Sequence, residues 1–299
     1  MSGVVKSQSA MEYLMTYGWA ILVIAVVLGV LFQLGVFGSA NLTPKATPGS
    51  CEVQRTTASI SLAGMCQGEM PQYVMVFSGA TTSNILAPLP TTATYGTTIS
   101  AWFYQPSSTN YGGIFYLGNG PPYPGSNGYG IVAVAPSDFG GCGGTNPTYV
   151  IAVLESSVSW YCFTSVQYKP SAWNNVILVD TQSGAQVTYT AYINGVADTI
   201  SSVTAPKTPL GMSLIGSTVE NDNFAGWISN VQVYNTTLSP TEANALYTEG
   251  IGGAPVKPQN IVGWWPLNGN ADDYSGGNNN GQASDTGYTS FWTSGYSSP

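Results

Sequence analysis

Histidine is absent from all 299 residues, and charge of either sign is scarce, with six Lys and Arg against 14 Asp and Glu. Without imidazole the chain lacks the commonest general base and the commonest metal ligand. No serine therefore has the partner that a hydrolase nucleophile needs. The basic residues, Lys6, Lys45, Arg55, Lys169, Lys207 and Lys257, are scattered. No patch of them neutralises several phosphates at once, so no nucleic-acid partner is expected. Charged residues make up 7% of the chain, against about 25% in an ordinary soluble domain.

Cysteine is limited to positions 51, 66, 142 and 162, with no CxxC spacing, which sets aside zinc and thioredoxin-like readings. In an exported chain two disulfides fit, and sequence proximity favours Cys51–Cys66 and Cys142–Cys162, although four cysteines allow three connectivities. Each short loop closure would stabilise by roughly 3 kcal/mol in the chain-entropy model. The alternative is four buried thiols. Gly140-Gly141-Cys142-Gly143-Gly144 precedes no helical pattern, so it is no phosphate loop.

What is abundant points to β-structure. Ser, Thr, Asn and Gly carry the polarity, and 36 Gly, 19 Tyr and 8 Trp imply aromatic packing and many turns. Alternating or apolar runs recur at Tyr73–Phe77, Thr97–Tyr104, Gly113–Leu117, Tyr149–Leu154, Val176–Val179, Val187–Ile193 and Trp227–Tyr234. Strands at such spacing predict a sandwich, and Asn194-Gly195 marks a hairpin turn within it. One short helix is signalled by Ser239-Pro240-Thr241-Glu242, an N-cap, a first-turn Pro and a capping-box Glu, and is closed by Gly250.

The N-terminal region differs. From Tyr17 to Phe37 the one strongly polar side chain is Gln33. About 21 residues at 1.5 Å rise span roughly 31 Å, enough for a bilayer core. Lys6 flanks its start, so the positive-inside rule puts Met1 in the cytoplasm and the residues after about 38 outside. Glu12 stands at the edge of this span, either solvated among headgroups or specifically paired. Residues 38–50, GSANLTPKATPGS, form a linker without apolar period.

Lys6-Ser7-Gln8-Ser9-Ala10-Met11-Glu12-Tyr13-Leu14, followed by Met15-Thr16-Tyr17-Gly18-Trp19-Ala20, closely resembles the class III signal sequence of archaeal type IV pilin-like proteins. The resemblance implies cleavage by a prepilin-type peptidase between Ser7 and Gln8, ahead of the helix. The helix is then retained, in membrane lipid or bundled with like pilin subunits. Glu12 matches the family's near-terminal glutamate, whose partner is a neighbour's new N-terminal amine. Ser7 stands where Gly or Ala is commoner, and the leader carries a single Lys.

A second resemblance follows the first. Thr98-Ile99-Ser100-Ala101-Trp102-Phe103-Tyr104, Trp173-Asn174-Asn175-Val176, Ala191-Tyr192-Ile193-Asn194-Gly195-Val196 and Gly226 through Asn235, with Leu238-Ser239-Pro240-Thr241-Glu242-Ala243 and Leu246-Tyr247, are similar in order to LamG-like, concanavalin A-type jelly rolls. The segment Val262-Gly263-Trp264-Trp265-Pro266-Leu267-Asn268-Gly269, with Asp272 to Gly276, looks like the opening of such a domain but lies near the C-terminus. It reads as a permuted strand pair returning to the first sandwich, with a truncated second repeat as the alternative. The expected organisation is a leader at 1–7, a pilin-like transmembrane helix at 8–37, a linker at 38–50 and a mainly β jelly-roll sandwich at 51–299 whose residues 260–299 return.

Candidate sites are few. Asn268, Asn270, Asp272 and Asp273 offer oxygens at alternating positions for Ca2+; the competing reading is an acidic turn bonding its own backbone. Jelly rolls of this type often bind glycans, and Tyr111, Tyr123 and Tyr129 lie in the Gly/Pro-rich stretch 105–130, where loops are expected. The two carboxylates of a glycosidase are missing as a pattern: Glu220-Asn221-Asp222 has no second Glu following it. Asn41-Leu42-Thr43 and Asn235-Thr236-Thr237 are glycosylation sequons. The function these features imply is a surface structural or adhesive subunit, not an enzyme, whose head contacts glycans or surface proteins. An unpolymerised, membrane-anchored lectin or adhesin is the runner-up.

Overall fold

The structure, a computed structural model, describes residues 6–33, 45–47, 49–67, 69–93, 96–107, 111–118, 128–136, 142, 148–155, 159–204, 210–218, 222–291, 296 and 299. The chain divides into two compact units, Met1–Pro44 and Lys45–Pro299.

The first unit contains helix α1 (Lys6–Gln33), 28 residues long. Its run from Ala20 onward mixes the good helix formers Ala and Leu with β-branched Val and Ile and has no proline, which permits a continuous helix. The described side chains from Tyr17 to Val30 are exposed, among them Tyr17, Trp19 and Ile21. Among the described residues no helix is long and apolar enough to cross a membrane.

The second unit is a two-sheet sandwich. In chain order its strands are β1 (Lys45–Ala46), β2 (Cys51–Arg55), β3 (Ile60–Gly64), β4 (Met70–Pro71), β5 (Tyr73–Ser78), β6 (Asn84–Ala93), β7 (Thr98–Tyr104), β8 (Gly112–Gly118), β9 (Gly128–Val134), β10 (Val150–Glu155), β11 (Ser159–Phe163), β12 (Trp173–Ser183), β13 (Gln186–Ile193), β14 (Val196–Thr204), β15 (Leu210–Ile215) and β16 (Ala225–Tyr234). Helix α2 (Pro240–Thr248) follows, then β17 (Ile261–Trp265), β18 (Gln282–Ser284) and β19 (Thr286–Ser290). One sheet runs β11-β10-β9-β8-β15-β6-β18; the other runs β14-β13-β12-β7-β16-β5-β19, with β17 also paired to β16. A hairpin of β2 and β3 and a parallel pair of β1 and β4 lie apart from both.

Alternation along the strands builds three layers of packing. Val176, Leu178, Tyr189, Ala191, Ile131 and Trp265 face the core between the sheets. Their neighbours Ile177, Val179, Tyr192 and Trp264 face the opposite side of the second sheet, beneath Leu238, Ala243 and Leu246 of the α2 region. The adjacent tryptophans thus serve two layers. On the far face of the first sheet, Val132, Val134, Val150, Ala152 and Leu154 pack beside Cys142, Trp160 and Cys162.

The C-terminal segment contributes to both sheets. Strand β17 pairs with Val231–Tyr234, β18 with Asn84–Leu86 and β19 with Tyr73–Phe77. Cys51 is bonded to Cys66 and Cys142 to Cys162, joining in both cases the cysteines nearest in sequence. The Asn194-Gly195 turn has positive φ at both residues, 50° and 81°, as a tight hairpin requires. A Cβ at position 195 would lie 2.8 Å from the Tyr247 ring, so this turn is also where α2 closes onto the sheet.

Part of the stretch expected as loop, 105–130, is strand. Residues 112–118 form β8, and β9 begins at Gly128. The glycines are there for packing: a Cβ at Gly130 would meet Phe115 O at 2.6 Å and the Tyr116 ring at 2.7 Å.

Candidate functional site

A cleft of about 450 Å³, counting its solvent-filled mouth, opens beside β1 and β4, with Cys51, Glu69, Asn230, Trp264, Asn268 and Tyr274 among its walls. The returning C-terminal segment supplies three of these six. Trp264 ends up here because Trp265, its neighbour in β17, is taken by the inter-sheet core. Asn230 sits at a register shift in β16, with φ of 49°, and such a bulge re-aims one side chain out of the alternation. Its Oδ1 accepts from Trp264 Nε1 at 2.8 Å and from Gln232 Nε2 at 3.0 Å, and its Nδ2 donates to Gly253 O at 2.8 Å.

Asn268 ties three segments together. Its Oδ1 accepts from the backbone N–H of Gln72 and Tyr73 at 2.9 and 2.8 Å, and its Nδ2 donates to Ala46 O at 2.8 Å. Tyr274 is anchored at its backbone, N to Trp264 O and O from Val53 N. Its hydroxyl accepts from Asn270 Nδ2 at 2.9 Å, which leaves its own proton to donate. The Trp264 and Tyr274 rings meet edge to face at 6.2 Å.

Glu69 is the exception in this satisfied surround. It is 8% exposed, and neither carboxylate oxygen has a hydrogen-bond partner. Nothing in Gly68-Glu69-Met70-Pro71 distinguishes it in the sequence, because the cleft wall it joins includes Trp264, Asn268 and Tyr274, some two hundred positions away.

Three of the four proposed calcium ligands, Asn268, Asn270 and Asp273, have their oxygens engaged in hydrogen bonds. Asp273 is a structural hub, with Oδ1 accepting from Trp264 N and Ser275 N, and Oδ2 from Ser275 Oγ and Asn279 N, all within 3.0 Å. Asn270 caps Asp272 N and donates to Tyr274, while Asp272 itself is exposed. Among the described residues no three His, Cys, Asp or Glu side chains gather to hold a metal. With the oxygens of Asn268 and Asp273 spent on backbone and hydroxyl donors, this turn does not fit Ca2+.

Of the three tyrosines, Tyr123 lies outside the described residues. Tyr129 is fully buried, so its ring offers no face to a sugar. Tyr111 is 39% exposed and packs edge to face on Trp160 at 5.7 Å, beside the Cys142–Cys162 bridge that holds the same sheet face. Asn235 is exposed at the end of β16; Asn41 lies outside the described residues. Ser7, Gln8 and Glu12 fall on the backbone of α1, and their side chains are outside the described set, as is the Glu220-Asn221 pair.

A buried polar cluster between the sheets escaped the sequence reading. Asp180 accepts from Thr97 Oγ1 and Tyr129 OH at 2.5 Å each and from Gly96 N. Tyr189 OH donates to Glu155 Oε1 at 3.2 Å, and the Tyr129 and Tyr189 rings lie 5.6 Å apart. Burial pushes the Asp180 carboxyl up and the Glu155 carboxyl up to about 7. Both carboxylates are buried, and neither lines the cleft beside β4.

Residues 78–244 match the concanavalin A-like lectin/glucanases superfamily. The chain belongs to that superfamily. Solved structures similar to this concanavalin A-like chain include a heptameric SAP-like pentraxin from Limulus polyphemus, at 15% identity and a TM-score of 0.53, covering 76% of this chain and 98% of the pentraxin. A candidate carbohydrate-binding protein from Bacteroides ovatus is similar at 15% identity and a TM-score of 0.53, over 79% of this chain and 65% of that protein. At such identity these likenesses concern the fold. No curated protein matches the chain.

Proposed function

We propose that this concanavalin A-like protein is a cell-surface glycan-binding subunit, its head exported and its N-terminal helix retained as a membrane anchor or filament-assembly element. The observation that carries the binding role is the cleft walled by Trp264, Tyr274 and Glu69, a concave site mixing apolar walls with few polar groups. Membership of a superfamily that includes lectins, and the fold shared with a candidate carbohydrate-binding protein, support the glycan reading. Two disulfides support an oxidising, extracytoplasmic setting. The pilin-like role stands on the sequence from Lys6 to Ala20 and on the apolar run that follows.

Two experiments test the reading. Glycan-array binding by the full chain in detergent should give saturable signals; a blank array removes the lectin role. Peptide mapping of native protein should find a mature N-terminus at Gln8, and an intact Met1 would defeat processing by a prepilin-type peptidase. Glu12→Ala then separates polymer from anchor, since it should abolish filament incorporation while leaving an unpolymerised lectin on the surface.

A further inference from the structure

We propose that Asn235 carries an N-linked glycan on its side-chain nitrogen Nδ2, and that the folded head holds this side chain outward to bear it. The inference goes beyond the glycan-binding reading and rests on its export half alone, since the modification needs the head to leave the cytoplasm.

The sequence offers few places for such a modification. The pattern Asn-x-Ser/Thr with any x but Pro occurs at Asn41 and Asn235 alone; Asn146-Pro147-Thr148 is barred by its proline. Of the two, Asn235 falls within the described residues, where the chain is fixed on both sides. Tyr234, the last residue of β16, is fully buried, and Leu238 is 2% exposed. The three residues between these apolar anchors form a bridge, with Asn235 and Thr237 exposed. Neighbouring strands hold its backbone in place. Asn235 N donates to Asn260 O at 2.9 Å, just ahead of β17. Thr98 Oγ1 of β7 donates to Thr236 O at 2.9 Å and accepts from Leu238 N at 3.0 Å. Thr237 Oγ1 donates to Asp180 O of β12 at 3.1 Å.

One bond orients the Asn235 amide. Its Oδ1 accepts from Asn260 Nδ2 at 3.2 Å, and among the described residues no acceptor takes a hydrogen of Asn235 Nδ2. Attachment replaces one of those hydrogens and leaves Oδ1 an acceptor, so the bond to Asn260 survives it. In the transfer, Nδ2 attacks the anomeric carbon of a lipid-phosphate-linked oligosaccharide. The N–C bond forms, the C–O bond to phosphate breaks, the lipid phosphate leaves and Nδ2 gives up one proton. The folded head engages the Thr237 hydroxyl with Asp180 O, so the transferase reads that hydroxyl before the head folds, during export. The fold then decides whether the product fits. A sugar on a buried Asn would drag hydroxyls into the core without partners, whereas an exposed Asn leaves them in water. Asn235 does not line the cleft beside β4, so attachment takes up none of its walls. With 7% of the chain charged, neutral polar groups carry most of the contact with water, and a bulky surface glycan adds to them.

The test is mass spectrometry, intact and by peptide, of the full chain made in its native cells and extracted in detergent. Protease treatment of the intact cells reports in parallel whether the head is outside. The parent should exceed the mass of its mature polypeptide by a glycan that maps to the peptide containing Asn235. Asn235→Gln and Thr237→Ala should each lose that mass. Thr236→Ala should keep it, because the middle position accepts any residue but Pro, and Thr237→Ser should keep it through its hydroxyl. Should a variant fail to fold, the parent's own peptide decides. A bare Asn235 in a head that protease reaches overturns this inference and leaves export standing. A glycan mass that survives Asn235→Gln, or one lost equally from Thr237→Ala and Thr237→Ser, also overturns it. A bare Asn235 in a head shielded from protease sinks the export reading with it.

Discussion

At the residue scale, Glu155 makes the head's stability depend on pH. It is 3% exposed, and burial raises its carboxyl from 4.5 to about 7 in the folded chain. A raised carboxylate favours the protonated folded form, so its contribution is full below about pH 4.5 and is lost as pH rises through 7. Asp180 shifts in the same direction. Glu155→Gln keeps an acceptor for Tyr189 and cannot ionise. It should therefore stabilise the head by about 2–3 kcal/mol above pH 8 and change little below pH 4.5. Urea unfolding at the two pH values checks this, and a mutant effect independent of pH would refute it. Asn268→Ala removes three hydrogen bonds, strands the backbone N–H of Tyr73 and leaves that of Gln72 with its 3.2 Å bond to Ala46 O alone. A loss of about 2–4 kcal/mol in urea unfolding is expected. The alternating oxygens of residues 268–273 were legible in the sequence, but their purpose was not. Asn268 bonds Tyr73, 195 positions away, and no local pattern reports who will claim a side-chain oxygen.

At the element scale, legibility followed regularity. The seven alternating or apolar runs all lie within or across observed strands, and those in β8, β10 and the first part of β12 are continuously apolar because both faces of these strands are buried. Strand β6 left no such run. Pro88 and Pro90 argue against a strand interior, yet Pro88 sits where the pairing with β15 shifts register, a place that tolerates a missing N–H. Helix α2 was fully written in its cap: Ser239 accepts from Glu242 N at 3.3 Å, and Glu242 Oε2 accepts from Ser239 N at 2.9 Å. Ser239→Ala should cost about 1 kcal/mol, read as a lower urea midpoint. The returning segment matters more. Removing residues 260–299 exposes the β16 partners of β17 and deletes β18 and β19, which lie at the ends of the two sheets. It also empties the core place of Trp265. The truncated chain should lose its cooperative thermal transition by near-UV circular dichroism; a retained sharp transition would mean that those strands are dispensable.

At the scale of the whole molecule, the two units pose opposite problems to water. The head encloses most of its described large apolar side chains in three packed layers. Helix α1 does the reverse, with Tyr17, Trp19 and Ile21 at 65%, 69% and 66% exposure, and the exposure continues along the helix through Val30. A helix apolar all round has no polar face to turn outward, and at about 25 cal/mol per Å² an uncovered surface of that kind drives association with lipid, detergent or copies of itself. The full chain should therefore need detergent to run as a single species, whereas residues 45–299, a compact unit by themselves, should remain dispersed in plain buffer. Size-exclusion chromatography with light scattering reads both. A full-length monomer stable in buffer would mean that the helix finds its cover within its own chain, and anchoring and assembly would both lose their driving force.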